Sequence, residues 1–261
     1  PAGSYYFDTD LSDKVAFLSA LAWGMANYTF TDFKKNDRAH PVLRLPSNVN
    51  ADSVQHYLDA ITHIRTLINL PANALGPDEL AQHVAEVADT YGAVFKQTVG
   101  PDLLSEGFPA IHTVGRASTR APRLIECEWG VGHPFKLALI GKGVCFDSGG
   151  LDIKPAAGMR DMKKDMGGAA HALGLARLIM AHKLPIHLQL YIPAVDNVIA
   201  GNAYMPGDII DTRAGLTVEV DNTDAEGRLI LSDALTLAAS KSPDLMIDFA
   251  TLTGAARVAL G

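Results

Sequence analysis

Six carboxylates and five basic side chains crowd into two short stretches of this chain. The first runs Gly141-Lys142-Gly143-Val144-Cys145-Phe146-Asp147-Ser148-Gly149-Gly150-Leu151-Asp152-Ile153-Lys154 and continues to Lys163-Lys164-Asp165-Met166-Gly167-Gly168. The second is Asp221-Asn222-Thr223-Asp224-Ala225-Glu226-Gly227-Arg228-Leu229. Together they supply Asp147, Asp165, Asp224 and Glu226, with Lys142, Lys154 and Arg228. The glycines let the backbone approach a ligand closely. Carboxylates converging in a partly buried site repel one another strongly. Two divalent cations roughly 3.5–4 Å apart remove that repulsion and activate water for hydrolysis. An oxygen-rich ligand set suits Mn²⁺ or Mg²⁺, and Zn²⁺ also accepts carboxylates and an amine. Beside two cations a lysine can be held neutral, because burial and the metal charge both lower its pKa. A second lysine outside the inner shell stays charged and can polarise a carbonyl.

Blander roles claim several neighbours. Asp152, Asp161, Asp221 and Asp233 read as turn formers or helix caps, and Lys163 and Lys164 as a solvated helix start. Gly141-Lys142-Gly143 lacks the spacing and hydroxyl residue of a phosphate loop. The nine histidines form no HExxH or HxxEH, and no GxSxG elbow occurs. Cys145 follows an apolar strand and reads as a small buried hydrophobe.

The elements that must position these groups begin with apolar residues at helical spacing over 10–28 (Leu11, Val15, Leu18, Leu21, Ala22, Met25). The charged run 31–38 reads as a boundary. Helices are predicted over 51–70 and 78–91, the latter stopped by Gly92. Strands and helices then alternate: strands over 93–99, 123–129, 135–140, 186–192, 209–212, 217–220 and 245–249, helices over 167–182, 228–240 and from 254. This rhythm predicts an α/β fold with a mixed, largely parallel central sheet and helices on both faces. Sites in such sheets gather at the carboxyl ends of strands, where both charged stretches fall.

With 261 residues, 48% hydrophobic and 20% charged, the chain can fill a sizeable core. Its net charge of −7 disfavours a nucleic-acid partner. No run of about 18 apolar residues predicts a membrane span, and Pro1-Ala2-Gly3-Ser4 does not open a signal peptide. Two cysteines, Cys127 and Cys145, give no disulfide framework, which fits a reducing cytoplasm.

Asn222-Thr223-Asp224-Ala225-Glu226-Gly227-Arg228-Leu229 matches letter for letter the NTDAEGRL signature of the leucyl aminopeptidases, peptidase family M17. The upstream block from Gly141 to Ala170 resembles that family's metal-binding segment, and Ala250-Thr251-Leu252-Thr253-Gly254-Ala255 resembles its third site loop. Asn69-Leu70-Pro71-Ala72-Asn73 and Pro206-Gly207-Asp208 are similar to further landmarks, so the likeness covers about Ile64 to Gly261. The resemblance implies a three-layer fold like the zinc exopeptidases. It also implies release of an N-terminal Leu or other large apolar residue from peptides, by a metal-bridging hydroxide with bicarbonate as general base. Asp147 and Glu226 would bridge two ions (Mn²⁺ or Zn²⁺, with Mg²⁺ or Co²⁺ as alternatives). Lys142 and Asp165 would complete the tighter site, and Asp224 the more exchangeable one. Lys154 would be the electrophile, and Arg228 would hold bicarbonate with help from the Leu252 backbone. Met162, Thr251 and Gly254 would line the pocket for the first side chain.

On the same resemblance, residues 1–45 are expected to be a linker helix and the remnant of an N-terminal domain, and 46–261 a catalytic domain continuing beyond Gly261. Such a piece is expected to be weakly active or inactive alone. The whole protein is expected to be a cytoplasmic homohexamer, a dimer of trimers. A non-catalytic DNA-architectural relative and a two-metal phosphoesterase are the competing readings; the acidic balance opposes the first and the signature opposes the second.

Overall fold

The computed structural model describes residues 3–35 and 39–260. Pro1 and Ala2, Asn36 to Arg38 of the charged boundary run, and Gly261 lie outside the described residues. In chain order the elements are β1 (Ser4–Tyr5), α1 (Asp13–Ala26), β2 (Val42–Leu43), α2 (Ala51–Asn69), α3 (Pro77–Tyr91) and β3 (Val94–Val99). Then come α4 (Asp102–Ser105), α5 (Pro109–Gly115), β4 (Arg123–Trp129), β5 (Lys136–Gly141), β6 (Gly143–Asp147), α6 (Ala156–Met159) and a 3₁₀ turn (Met162–Met166). The rest are α7 (Gly167–Ala181), β7 (His187–Asn197), β8 (Ile209–Asp211), β9 (Thr217–Glu219), a 3₁₀ turn (Thr223–Ala225), α8 (Glu226–Ser240), β10 (Leu245–Phe249) and α9 (Ala255–Leu260).

The main sheet runs β10-β5-β7-β4-β3. β10, β5 and β7 are parallel neighbours, while β4 is antiparallel to both β7 and β3. The mixed, largely parallel α/β sheet expected from the sequence is therefore present. Side chains of a strand alternate between faces, and here that alternation feeds two cores. Leu137, Leu139, Leu188, Leu190, Ile192, Ile125 and Cys127 join α2, α3 and α7 on one side. Ala138, Ile140, Tyr191, Val195 and Leu124 join α5 and α8 on the other. The result is helix, sheet, helix.

Local chemistry sets several element ends. Asn50 Oδ1 accepts from Ser53 N at 2.9 Å and caps α2. Pro77 occupies the first turn of α3, whose Glu79 carboxylate accepts from Gly76 N at 2.8 Å. Gly92 closes that helix at φ +67°.

Several features depart from the sequence reading. Val15 and Leu18 of α1 are exposed, while Ala16 and Ala20 are buried, because α1 lies on α2 through its small residues. A Cβ on Gly24 would collide with Leu58. Residues 143–147, which follow the strand predicted over 135–140, form a further strand on the same edge of β7 as β5. β7 runs five residues further than expected, to Asn197. α4 and α5 were not anticipated; their short apolar stretches lack enough turns to show a period. No described helix is long and apolar enough to cross a membrane.

Candidate functional site

β5 and β6 lie end to end along β7, and Lys142 sits at the break between them. There its backbone N–H donates to Phe249 O at the carboxyl end of β10, and its carbonyl accepts from Ala169 N near the start of α7, both at 2.9 Å. This crossing needs small residues: a Cβ on Gly168 would run into the Phe249 carbonyl. The Lys142 side chain then passes over Gly227, where a Cβ would lie 2.5 Å from its Cε. The glycine of the eight-residue block is thus required by a lysine far upstream.

Asp147 ends β6, Asp165 sits in the 3₁₀ turn before α7, Asp224 in the turn before α8, and Glu226 opens α8. The helix dipole favours an anion at that last position. One oxygen from each of Asp147, Asp165 and Glu226 lies within 4.8 Å of the others, and all three residues are buried. Lys142 Nζ stands 2.7 Å from Asp165 and 2.9 Å from Glu226, and also donates to Thr251 O at 3.0 Å. Lys154 Nζ stands 3.0 Å from Asp147 and pairs with Asp224. Four carboxylates thus face two ammonium groups.

Burial pushes the Glu226 carboxyl up to about 8, against the pull of Lys142, and Asp147 and Asp165 add to the rise. Asp165 is likewise raised by burial, which Lys142 opposes. Burial alone would lower Lys142, but Glu226 and Asp165 outweigh it and hold the amine above its ordinary value. Burial also acts to lower Lys154, yet hydrogen bonds to Asp224 and Asp147 take it up to about 12. Glu226 is 1% exposed and its Oε2 has no hydrogen-bond partner. A buried, unpaired carboxylate oxygen among like charges is costly. A divalent cation would satisfy it, so the donor set fits a metal pair.

A cleft of about 510 Å³ opens over this cluster. Lys142, Asp147, Lys154, Met162, Asp165, Asp224, Thr251, Leu252 and Gly254 all line it, as do Lys164 and Thr253. Glu226 lies beneath, reached through Lys142. Arg228 is exposed in the first turn of α8 and is not among the lining residues.

The sequence reading passed over the scaffold of the site. Asp152, read as a turn former, accepts from Thr223 N at 2.7 Å and ties the two charged stretches together. Lys163, read as solvated, donates to Asn69 O at the end of α2. Thr251 Oγ1 donates to Asp165 Oδ1 at 2.7 Å. Asn197 and Tyr204 both donate to Thr223 O. The signal for Asn197 was the one used elsewhere, a polar residue where an apolar strand stops.

A model of the cytosol aminopeptidase family, catalytic domain, matches residues 62–261. Peptidase B of Yersinia pseudotuberculosis is 44% identical over 234 residues, which are 87% of this chain and 54% of that protein. The crystal structure of a cytosol aminopeptidase from Coxiella burnetii superposes with a TM-score of 0.95 at 51% identity, covering all of this chain and 57% of the other. The bottromycin maturation enzyme BotP in complex with Mn gives a TM-score of 0.88 at 31% identity, over 99% of this chain and 58% of its own. The chain spans about half the length of the curated relatives it matches.

Proposed function

The chain belongs to the cytosol aminopeptidase family, and from that footing we propose that the protein is a two-metal aminopeptidase. It releases the N-terminal residue, by preference Leu or another large apolar one, from peptides. The observation that carries this reading is the meeting of Asp147, Asp165 and Glu226, from stretches far apart in sequence, within 4.8 Å of one another in a buried pocket. The acceptance of Mn by the relative BotP supports a metal pair here.

In this reading Asp147, Glu226, Asp165 and Asp224 would hold the two ions, and Lys142 would join them by giving up its proton, since only the neutral amine has a lone pair to offer. The ions are Mn²⁺ or Zn²⁺, with Mg²⁺ and Co²⁺ as substitutes. When bound they lower the pKa of water towards 7 and polarise a carbonyl. The chain's own groups do the rest. Lys154, which lines the cleft beside Asp147 and Asp224, would donate to the oxygen that gains charge as the scissile carbonyl is attacked. Met162, Leu252, Thr251 and Gly254 line the cleft and receive the first side chain; Met162 and Leu252 give it apolar surface. Arg228 would hold a bicarbonate ion, with the Leu252 backbone assisting, and that ion would supply a general base. An internal peptide bond has no free α-amine to meet the carboxylates and ions, which restricts cleavage to chain ends. The whole protein works in the cytoplasm as a homohexamer, a dimer of trimers.

The test is hydrolysis of Leu-Gly and of p-nitrophenyl phosphate by the full-length protein loaded with Mn²⁺. The dipeptide is expected to be cleaved and the phosphate ester left intact. Cleavage of the ester alone would replace the peptidase by a two-metal phosphoesterase.

A further inference from the structure

β7 is the longest strand, and its last residue, Asn197, is the register partner of Asp147 at the end of β6. The Asn197 side chain is wholly buried. Its Nδ2 donates to Asp147 Oδ1 at 2.9 Å and to Thr223 O at 3.0 Å. Its backbone carbonyl accepts from Ser148 N at 2.9 Å and from Ser148 Oγ at 2.8 Å. The amide cannot be turned round, because its oxygen would then face a carboxylate and a carbonyl with no proton between them.

This arrangement divides the two oxygens of Asp147. Oδ1 accepts from Asn197 Nδ2 and from Gly149 N, both at 2.9 Å. Oδ2 is left to the cleft, where the Lys154 ammonium stands 3.0 Å away. With Oδ1 held by two donors, the carboxylate plane is fixed and Oδ2 faces the cleft. The second donation fixes the other stretch as well, since Thr223 lies next to Asp224 and three residues before Glu226. One neutral side chain with two N–H groups therefore sets the distance between the two halves of the ligand set. Aspartate has the same shape but no donor, and would add a charge beside Asp147.

We infer that Asn197 is a positioning residue that aims Asp147 and locks the 223–226 turn against it, so that the affinity for one ion of the pair depends on its carboxamide. This rests on the two-metal reading of the site. It reaches the substrate only through the ligands, as supporting groups behind a metal do.

The experiment measures Mn²⁺ binding by equilibrium dialysis on the full-length protein, alongside unfolding in chelator. The proteins are wild type, Asn197→Asp and Asn197→Ser. Wild type is expected to bind two ions. Asn197→Asp is expected to lose one ion or bind it at least ~10-fold more weakly, in the 10- to 100-fold range typical of groups supporting a metal ligand. Asn197→Ser, which keeps one donor, is expected to fall between the two. In the loaded enzyme kcat should drop while KM stays within about twofold, because the groups lining the cleft are untouched. Wild-type affinity at both sites in either folded variant would overturn the inference and leave the aminopeptidase reading intact. Failure of wild type to bind Mn²⁺ would overturn both. If neither variant folds, Asn197 belongs to the core alone and the inference is wrong.

Discussion

Buried carboxylates occur in two regions of this molecule, and the two are built on opposite rules. Asp233, within α8, is wholly buried, and both its oxygens are used: Ala110 N at 2.9 Å and Ile111 N at 3.2 Å on one, Arg213 N at 2.8 Å on the other. Asp196 is 1% exposed and is held by Arg120 through two 2.7 Å contacts and by Ser118 at 2.9 Å. At the cleft, Asp147, Asp165 and Glu226 are as deeply buried but crowd together, and Glu226 keeps an oxygen with no donor. Burial raises Asp196 and Asp233 as it raises Asp165 and Glu226. Depth therefore does not separate structural from functional acids. Crowding does: Asp196 and Asp233 each meet only donors, whereas Asp147, Asp165 and Glu226 share one pocket, where Glu226 keeps an oxygen with no donor.

This contrast can be broken most directly by exchanging the outcomes of substitution. Asp224→Ala and Glu226→Gln should lower peptidase activity by roughly three orders of magnitude or more, about 4 kcal/mol at 1.36 kcal/mol per tenfold. Bound metal should be lost as well, which metal analysis by mass spectrometry would register. In chelator both variants should unfold within a few degrees of wild type, because they relieve repulsion. A large loss of stability there would remove the distinction drawn above.

Asp233→Ala should do the reverse. It orphans two buried N–H groups and a part-buried one and should cost about 3 kcal/mol in urea unfolding, with the folded fraction still binding metal. Lys154→Met should lower kcat by a factor of ~10²–10³, the range for removing one donor to a developing oxyanion. Mn²⁺ affinity should be kept or improved, since an ammonium beside the ions is gone.

The smallest effect is on pH. Glu226 carries a raised folded pKa of about 8 against an ordinary 4.5, so between those values the folded chain binds more protons than the unfolded one. Stability then falls as pH rises. His63, lowered by burial from 6.5 to about 4, and His112, also lowered by burial, act in the opposite sense, an effect that fades above about pH 7 as histidine in the unfolded chain loses its proton. In chelator, thermal stability should therefore decline from about pH 7 to 8, by at most ~1.4 kcal/mol per pH unit for this one group. With Mn²⁺ the trend should reverse, because the ion binds the ionised carboxylate. A flat profile in chelator would place Glu226 among the satisfied acids.

The sequence by itself determined the residue types that make up the acidic cluster, the alternation that makes a two-faced sheet, and the eight-residue block that names a family. These are local properties: a strand shows its buried faces in a period of two residues, and a signature is contiguous. Tertiary structure alone decided which acids were finished and which were left short. Asp233 looked like a local cap and proved to be one for backbone 20 and more than a hundred residues away. Asp152 and Asn197 looked ordinary and proved to bind the two charged stretches together. Gly227 makes sense only once Lys142 crosses it. A hydrogen-bond partner or a missing one is fixed by where distant segments come to rest, and no local spacing records that.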